Sequence, residues 1–218
     1  HNPEFTMMEW YEAYTDYNYQ MKQFEELVSH VCKQIHGTTK ITYQGKEVDF
    51  TMPWKRLSVI DSILEYGKID VKALSDAQLK ATLKEHGFIE NPNNPLNRGE
   101  MIINLFDIVV EHHLWQPIFI MDHPVEISPL TKKHRIHKGL VERFEPYVAG
   151  MELGNAYSEL NDPEEQRARL EEQDAKRDKD AEAHPMDEDF MNAIDVGMPP
   201  TGGVGLGIER LVMVLTDR

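Results

Sequence analysis

The stretch Pro199-Pro200-Thr201-Gly202-Gly203-Val204-Gly205-Leu206-Gly207-Ile208-Glu209-Arg210 carries four glycines in six positions and runs directly into an apolar helical pattern. Glycine lets backbone approach a ligand closely. Ile208, Leu211, Val212 and Leu215 stand at i, i+3, i+4 and i+7, so a helix with one buried face is expected to begin near Gly207, with Arg210 one turn in. There the planar guanidinium can grip a phosphate or stack on a purine. Neither a GxxxxGK[ST] loop nor a GxGxxG fingerprint is present. Spacing alone leaves two readings open, a bed for a nucleotide or a tight glycine turn packed against a strand.

Working outward, Thr6–Tyr17 alternates as an aromatic-rich strand with Glu9, Tyr11 and Ala13 on one face, and Tyr19–His36 follows as an amphipathic helix capped by Gly37. Ile41–Tyr43 and Val48–Phe50 flank Gln44-Gly45-Lys46 as a hairpin. Leu57–Tyr66, Ser75–His86 and Gly99–His113 read as helices, the second opened by Ser75 with Gln78 three residues on. Residues 55–114 are therefore expected to form a helical insertion. Trp115–Asp122 is a short apolar strand, and Pro124–Leu130 is expected to be extended. Arg143–Gly150 and Glu152–Leu160 are expected to pair as antiparallel strands. This order predicts an α+β fold on a mainly antiparallel sheet flanked by helices, with residues 1–218 as one domain.

The formal net charge of −15 over 218 residues argues against binding nucleic acid by backbone electrostatics alone. Between Asp162 and Asp189 there are 12 acidic and 5 basic residues, which reads as a solvated helix with Glu165/Arg169 and Glu172/Lys176 at i, i+4 spacing. The single cysteine, Cys32, lies on a helix's buried stripe and reads as core rather than nucleophile. It also fits a reducing, cytoplasmic setting, and no apolar run is long enough to span a membrane. The ten histidines show no metal-ligand spacing.

Carboxylates on core strands are costly unless paired or bound to cations. Glu145, Glu152 and Glu159 interrupt two buried-looking strands, and Glu9 does so in the first. In GMELGNAYSEL, Asn155, Tyr157 and Glu159 share a face by period 2, whereas Glu152 has the opposite parity. A bulge at Gly154 would bring Glu152 round to join them. Without it, Glu152 faces away.

His1-Asn2-Pro3-Glu4-Phe5-Thr6-Met7-Met8-Glu9 with Tyr11 and Tyr14, then Arg143-Phe144-Glu145, then Glu152-Leu153-Gly154-Asn155-Ala156-Tyr157-Ser158-Glu159, and finally Gly203-x-Gly205-x-Gly207-x-x-Arg210 together resemble the catalytic domain of class II lysyl-tRNA synthetases. The first block resembles the second half of motif 2 and the last resembles motif 3. The resemblance implies ATP-dependent activation of L-lysine to lysyl-adenylate and transfer to tRNA(Lys). His1, Asn2, Phe5 and Gly205 would line the ATP site, Phe5 on the adenine and Arg210 on the γ-phosphate. Glu9 would take the lysine α-ammonium, Tyr11 and Glu159 the ε-ammonium and Asn155 the carboxylate, with Tyr157 in the same pocket. Glu145 and Glu152 would hold Mg²⁺.

Nothing in the sequence matches the family's anticodon-binding barrel, motif 1 or the first strand of motif 2. A fragment that is inactive alone is therefore expected, from a protein that forms a homodimer at full length. The alternatives are a synthetase-derived module that binds lysine or nucleotide without aminoacylation, and the paralogue that lysylates an elongation factor.

Overall fold

The computed structural model describes residues 3–92, 94–175 and 186–218. Strand β1 (Met7–Ala13) leads into helix α1 (Tyr17–His36). Asp16 caps α1 by accepting from the amides of Asn18 and Tyr19, and Gly37 ends it at φ 73° with its N–H on Lys33 O. The hairpin β2 (Lys40–Tyr43) and β3 (Lys46–Asp49) closes through Gln44 and Gly45 at φ 47° and 75°, the left-handed pair that a two-residue turn needs.

Next come β4 (Lys55–Ser58), α2 (Val59–Ser62), a π turn over Ile63–Gly67, α3 (Asp76–Glu85) and α4 (Arg98–Val109). The capping box expected at Ser75 and Gln78 forms, and a second one forms at Asn97 and Glu100. After these come β5 (Ile118–Met121), β6 (Arg143–Val148), β7 (Met151–Glu152), β8 (Gly154–Ser158), α5 (Pro163–Asp174), α6 (Glu188–Val196), β9 (Thr201–Gly207) and α7 (Ile208–Thr216).

The large sheet runs β1-β9-β8-β6-β5-β4, with β7 also on β6, and every pairing is antiparallel except β4 with β5. The fold is α+β, as the sequence predicts. One element departs from expectation. Lys55–Ser58, read as part of the insertion and in part as the start of a helix, lies in the sheet with Leu57 opposite Ile120. Two polar residues open this four-residue strand, and Ser58 at once caps the next turn by accepting from Asp61 N–H, so its period is invisible beside the helical spacing that follows. Pro124–Leu130 is not extended throughout either, because Val125–Ile127 forms a 3-10 turn.

The sheet has two unlike faces. On one, Phe24 of α1 packs edge-on against Trp54, Phe119 and Phe144 and stacks beside Trp10, with Cys32, Val204 and Leu206 in the same core. On the other, Ile118, Ile120 and Tyr147 at the β5–β6 end pack under α4 with Leu105 and Phe106. Among the described residues the β1-β9-β8 end of that second face carries no such apolar cluster, and its floor is polar. Strand β1 is exposed except at the half-buried Trp10, so Glu9 does not interrupt a buried strand as expected. Ile35 and Val212, expected on buried stripes, are exposed, while Val214 completes the buried face of α7.

The acidic stretch forms α5, capped by Asp162, and α6, capped by Asp187. Arg169 pairs with Glu165 as expected, while Lys176 lies outside the described residues.

Candidate active site

Strand alternation places the floor residues in rows. Glu9 of β1 lies opposite Gly205, which in turn lies opposite Asn155 of β8. The neighbouring row is Tyr11, Gly203, Tyr157 and Arg143. The three odd-numbered glycines of β9 thus form a strip without side chains between two rows of polar groups, while Val204 and Leu206 point to the core. A Cβ on Gly203 would fall on Glu159 Oε1 and lie 2.8 Å from the Tyr11 ring. On Gly205 it would come within 2.8 Å of Met7 Cε. The glycine run is a strand that stays bare to leave room on its open face, rather than a turn.

Of the two readings left open at Gly154, the bulge is the one present. Tyr147 lies opposite Glu152, yet Arg143 lies opposite Tyr157 rather than Ala156, so one extra residue sits on the β7–β8 side. Leu153 turns into the core, and Glu152 shares the open face with Asn155 and Tyr157.

Two acidic groups result. At the β1 end, Tyr11 donates to Glu9 across 3.4 Å, and Glu159 Oε1 is buried with no hydrogen-bond partner among the described residues. Burial, and then the charge of Glu9, push the Glu159 carboxyl up to about 8. Burial followed by Glu159 likewise pushes the Tyr157 phenol up. At the other end, Glu145 Oε1 accepts from Arg143 at 2.6 Å, and its Oε2 accepts from Tyr147 at 3.1 Å and lies 3.4 Å from His123 Nε2.

Burial favours neutral Glu145, but His123, Arg143 and Tyr147 outweigh it and hold the carboxyl well below its usual range. Glu152 shifts the opposite way, raised by burial and by the Glu145 charge, with Arg210 opposing. Arg210 Nη1 donates to the Glu152 carbonyl at 2.5 Å and lies 3.9 Å from its carboxylate. Asp107 of α4 joins this end, pushed up to about 6 by burial and then by Glu111 and Glu145.

The structure thus gathers Glu9, Tyr11, Asn155, Tyr157, Glu159, Glu145, Glu152, Gly205 and Arg210 on one floor. Phe5 sits exposed where the chain enters β1, beside Thr6, whose amide donates to Glu209 Oε1 of α7 at 2.7 Å. His1 and Asn2 lie outside the described residues. Sequence reading gave no role to Arg143, His123, Tyr147, Asp107 or Glu111. Arg143 was within reach, because it stands two residues from Glu145 on one strand and so shares its face. His123 and Asp107 gave no signal, since they arrive from a loop and a helix.

A cationic group with an anionic end would meet a partner at each place: acidic groups at the β1 end and, further along, Asn155 and two arginines. Among the described residues no group of three or more His, Cys, Asp or Glu could hold a metal ion. None of their helices is long and apolar enough to cross a membrane.

The whole chain, residues 1–218, matches the family described as tRNA synthetases class II (D, K and N). It is 52% identical over 219 residues to a protein named "Lysine--tRNA ligase" from Methanoculleus marisnigri, covering 100% of this chain and 43% of that relative. Proteins of the same name from Clostridium perfringens (strain SM101 / Type A) and Thermoanaerobacter sp. (strain X514) are each 49% identical, over 220 and 219 residues, again covering 100% of this chain and 44% of theirs. The chain spans less than half the length of the curated relatives it matches.

Proposed function

This chain belongs to the class II tRNA synthetases of the D, K and N group, and on that footing we propose that it is the catalytic core of a lysine--tRNA ligase. The observation that carries the choice of lysine is Glu159, whose Oε1 is buried and unpartnered at the end of the floor. A buried carboxylate without a cation calls for one from the ligand. Aspartate and asparagine bring no cation to Glu159, so the site selects against the other two amino acids of the group.

In this reading Glu9 takes the α-ammonium, Tyr11 and Glu159 hold the ε-ammonium with Tyr157 beside them, and Asn155 donates to the carboxylate. That carboxylate attacks the α-phosphorus of ATP, the bond to the bridging oxygen breaks, and pyrophosphate leaves. The terminal hydroxyl of tRNA(Lys) then takes the lysyl group from the adenylate, releasing AMP. Arg210 holds the γ-phosphate, the bare strand at Gly205 lets the nucleotide lie flat, and Phe5 stacks on adenine with His1 and Asn2 alongside. Such displacement depends mainly on positioning and charge neutralisation.

Glu145 and Glu152 fit a Mg²⁺ ion, because they are oxygen ligands and Glu152 already bears the unfavourable charge of Glu145. Bound there, Mg²⁺ would neutralise phosphate charge, drawing its other ligands from phosphate and water. Transfer to tRNA(Lys), homodimerisation and a cytoplasmic location belong to the same reading of the full-length protein. Relatives named for lysine at about half identity over the whole chain favour neither the binding-module nor the elongation-factor alternative.

In the full-length protein the expected result is exchange of labelled pyrophosphate into ATP that depends on L-lysine. Exchange driven by L-aspartate or L-asparagine and not by L-lysine would overturn the reading.

Proton release offers a second check. With its carboxyl at about 8, Glu159 is mostly protonated in the free protein at pH 7. An ε-ammonium binds the ionised form, so lysine expels a proton. Affinity should rise by up to about tenfold per pH unit between pH 6 and 8, then level off until the ligand's own amine deprotonates near about 10.4. Without lysine the sign reverses for stability. The folded chain holds the Glu159 proton more tightly than the unfolded one, so its contribution falls as pH rises from the ordinary glutamate range towards 8. Calorimetric titrations at pH 7 in phosphate and in Tris should give different apparent enthalpies, and equal values would count against this role.

A further inference from the structure

Arg143 joins three parts of the floor at once. Its Nε donates to Asn155 Oδ1 at 3.0 Å, Nη1 to Ser128 Oγ at 2.9 Å and Ile127 O at 3.3 Å, and Nη2 to Glu145 Oε1 at 2.6 Å. The side chain is only 16% exposed. Ser128 itself is buried, and its carbonyl accepts from Arg169 of α5, so the loop beneath Arg143 is fixed from both sides.

A guanidinium carries donors only. The Asn155 amide must therefore turn its oxygen towards Arg143, which leaves its NH₂ as the end offered away from the arginine. The two ends of an asparagine amide are nearly the same size, so sterics alone do not choose between them. Released from Arg143, the amide could present oxygen to an anion as readily as NH₂. The choice of donor end is made by the arginine.

We propose that Arg143 is a positioning residue which locks the Asn155 amide with its NH₂ towards the carboxylate of the bound amino acid. The proposal rests on the lysine reading of the site given above. Lysine in place of Arg143 keeps the charge but concentrates it in one ammonium, which cannot span four acceptors.

The test compares L-lysine with cadaverine, the same molecule without its carboxylate, by calorimetric titration of the full-length protein without added metal. Wild type should bind lysine more tightly than cadaverine. Arg143→Lys should lower lysine affinity about tenfold, the scale of one hydrogen bond to a charged group, and change cadaverine affinity less than twofold. In an Asn155→Ala background, Arg143→Lys should cost lysine nothing further, because the arginine acts through that amide. Should Arg143→Lys not fold, Ser128→Ala, which removes one of the pins, should show the same selective loss at about threefold.

Equal losses for both ligands, a full additional loss in the Asn155→Ala background, or no loss at all would overturn the positioning role while leaving the lysine reading intact. Wild type that binds neither ligand would overturn that reading and the proposal with it.

Discussion

Glu159→Gln is expected to abolish measurable L-lysine binding while ATP binding survives. The substitution keeps the shape and removes the charge, so what it reads is the ion pair. Among the described residues Glu159 Oε1 is buried and unpartnered, and the charge acting on it is the like charge of Glu9. An amide there leaves the incoming ammonium without its counter-ion, which costs about 3–5 kcal/mol, a hundredfold or more in affinity. Part of the wild-type gain goes into ionising the carboxyl at pH 7, which costs about 1.4 kcal/mol for each pH unit below the point where it titrates, so the contrast between the two proteins should widen at pH 8. A calorimetric titration with L-lysine, paired with one using a non-hydrolysable ATP analogue, measures both halves of the expectation. Unchanged lysine affinity in the variant would defeat the assignment, and loss of both ligands would point to a collapsed sheet instead.

The second large effect is on the sheet itself. Gly154→Ala should lower stability by about 1–3 kcal/mol, which for a chain of this size is a fall in Tm of roughly 2–12 °C. A Cβ at Gly154 would overlap the carbonyl oxygen of Gly205 and lie 3.3 Å from Leu206 Cα, so it meets backbone that cannot rotate away. Relief requires β8 and β9 to part where Gly154 lies opposite Leu206, or the bulge to be lost. Either outcome moves Glu152 off the face it shares with Glu145. Differential scanning calorimetry gives the Tm. A variant as stable as wild type would mean that the two strands do not approach as closely as this.

Most of the site was legible because β structure has a strict parity. The period of two put Asn155, Tyr157 and Glu159 on one face without any long-range information, and marked Gly154 as the place where a bulge would add Glu152, which the pairing with β6 then decided. The glycine run was legible in place but not in kind. Its spacing allowed a turn, and only its pairing with both β1 and β8 makes it a strand with an open face. Strand β4 was not legible, since four residues opening on Lys55 and Arg56 carry no alternation, and what holds them is Leu57 opposite Ile120 together with the ion pair from Arg56 to Glu25 at 3.1 Å.

By itself the sequence determined the fold class, most of the caps and turns, and which residues of an unbulged strand face the same way, because each depends on chemistry within a few positions along the chain. Tertiary structure alone decided what those faces meet. Among the described residues Glu159 is left without a cation while Glu145 receives Arg143, Tyr147 and His123, although both are glutamates on the same face of the sheet. Arg143 and Tyr147 stand two residues either side of Glu145 on β6 and His123 comes from a loop, whereas the charge that reaches Glu159 from across the sheet is the like charge of Glu9. Burial raises the cost of every unpaired charge, so packing across the sheet decides which carboxylate already has protein donors and which has none until a ligand binds.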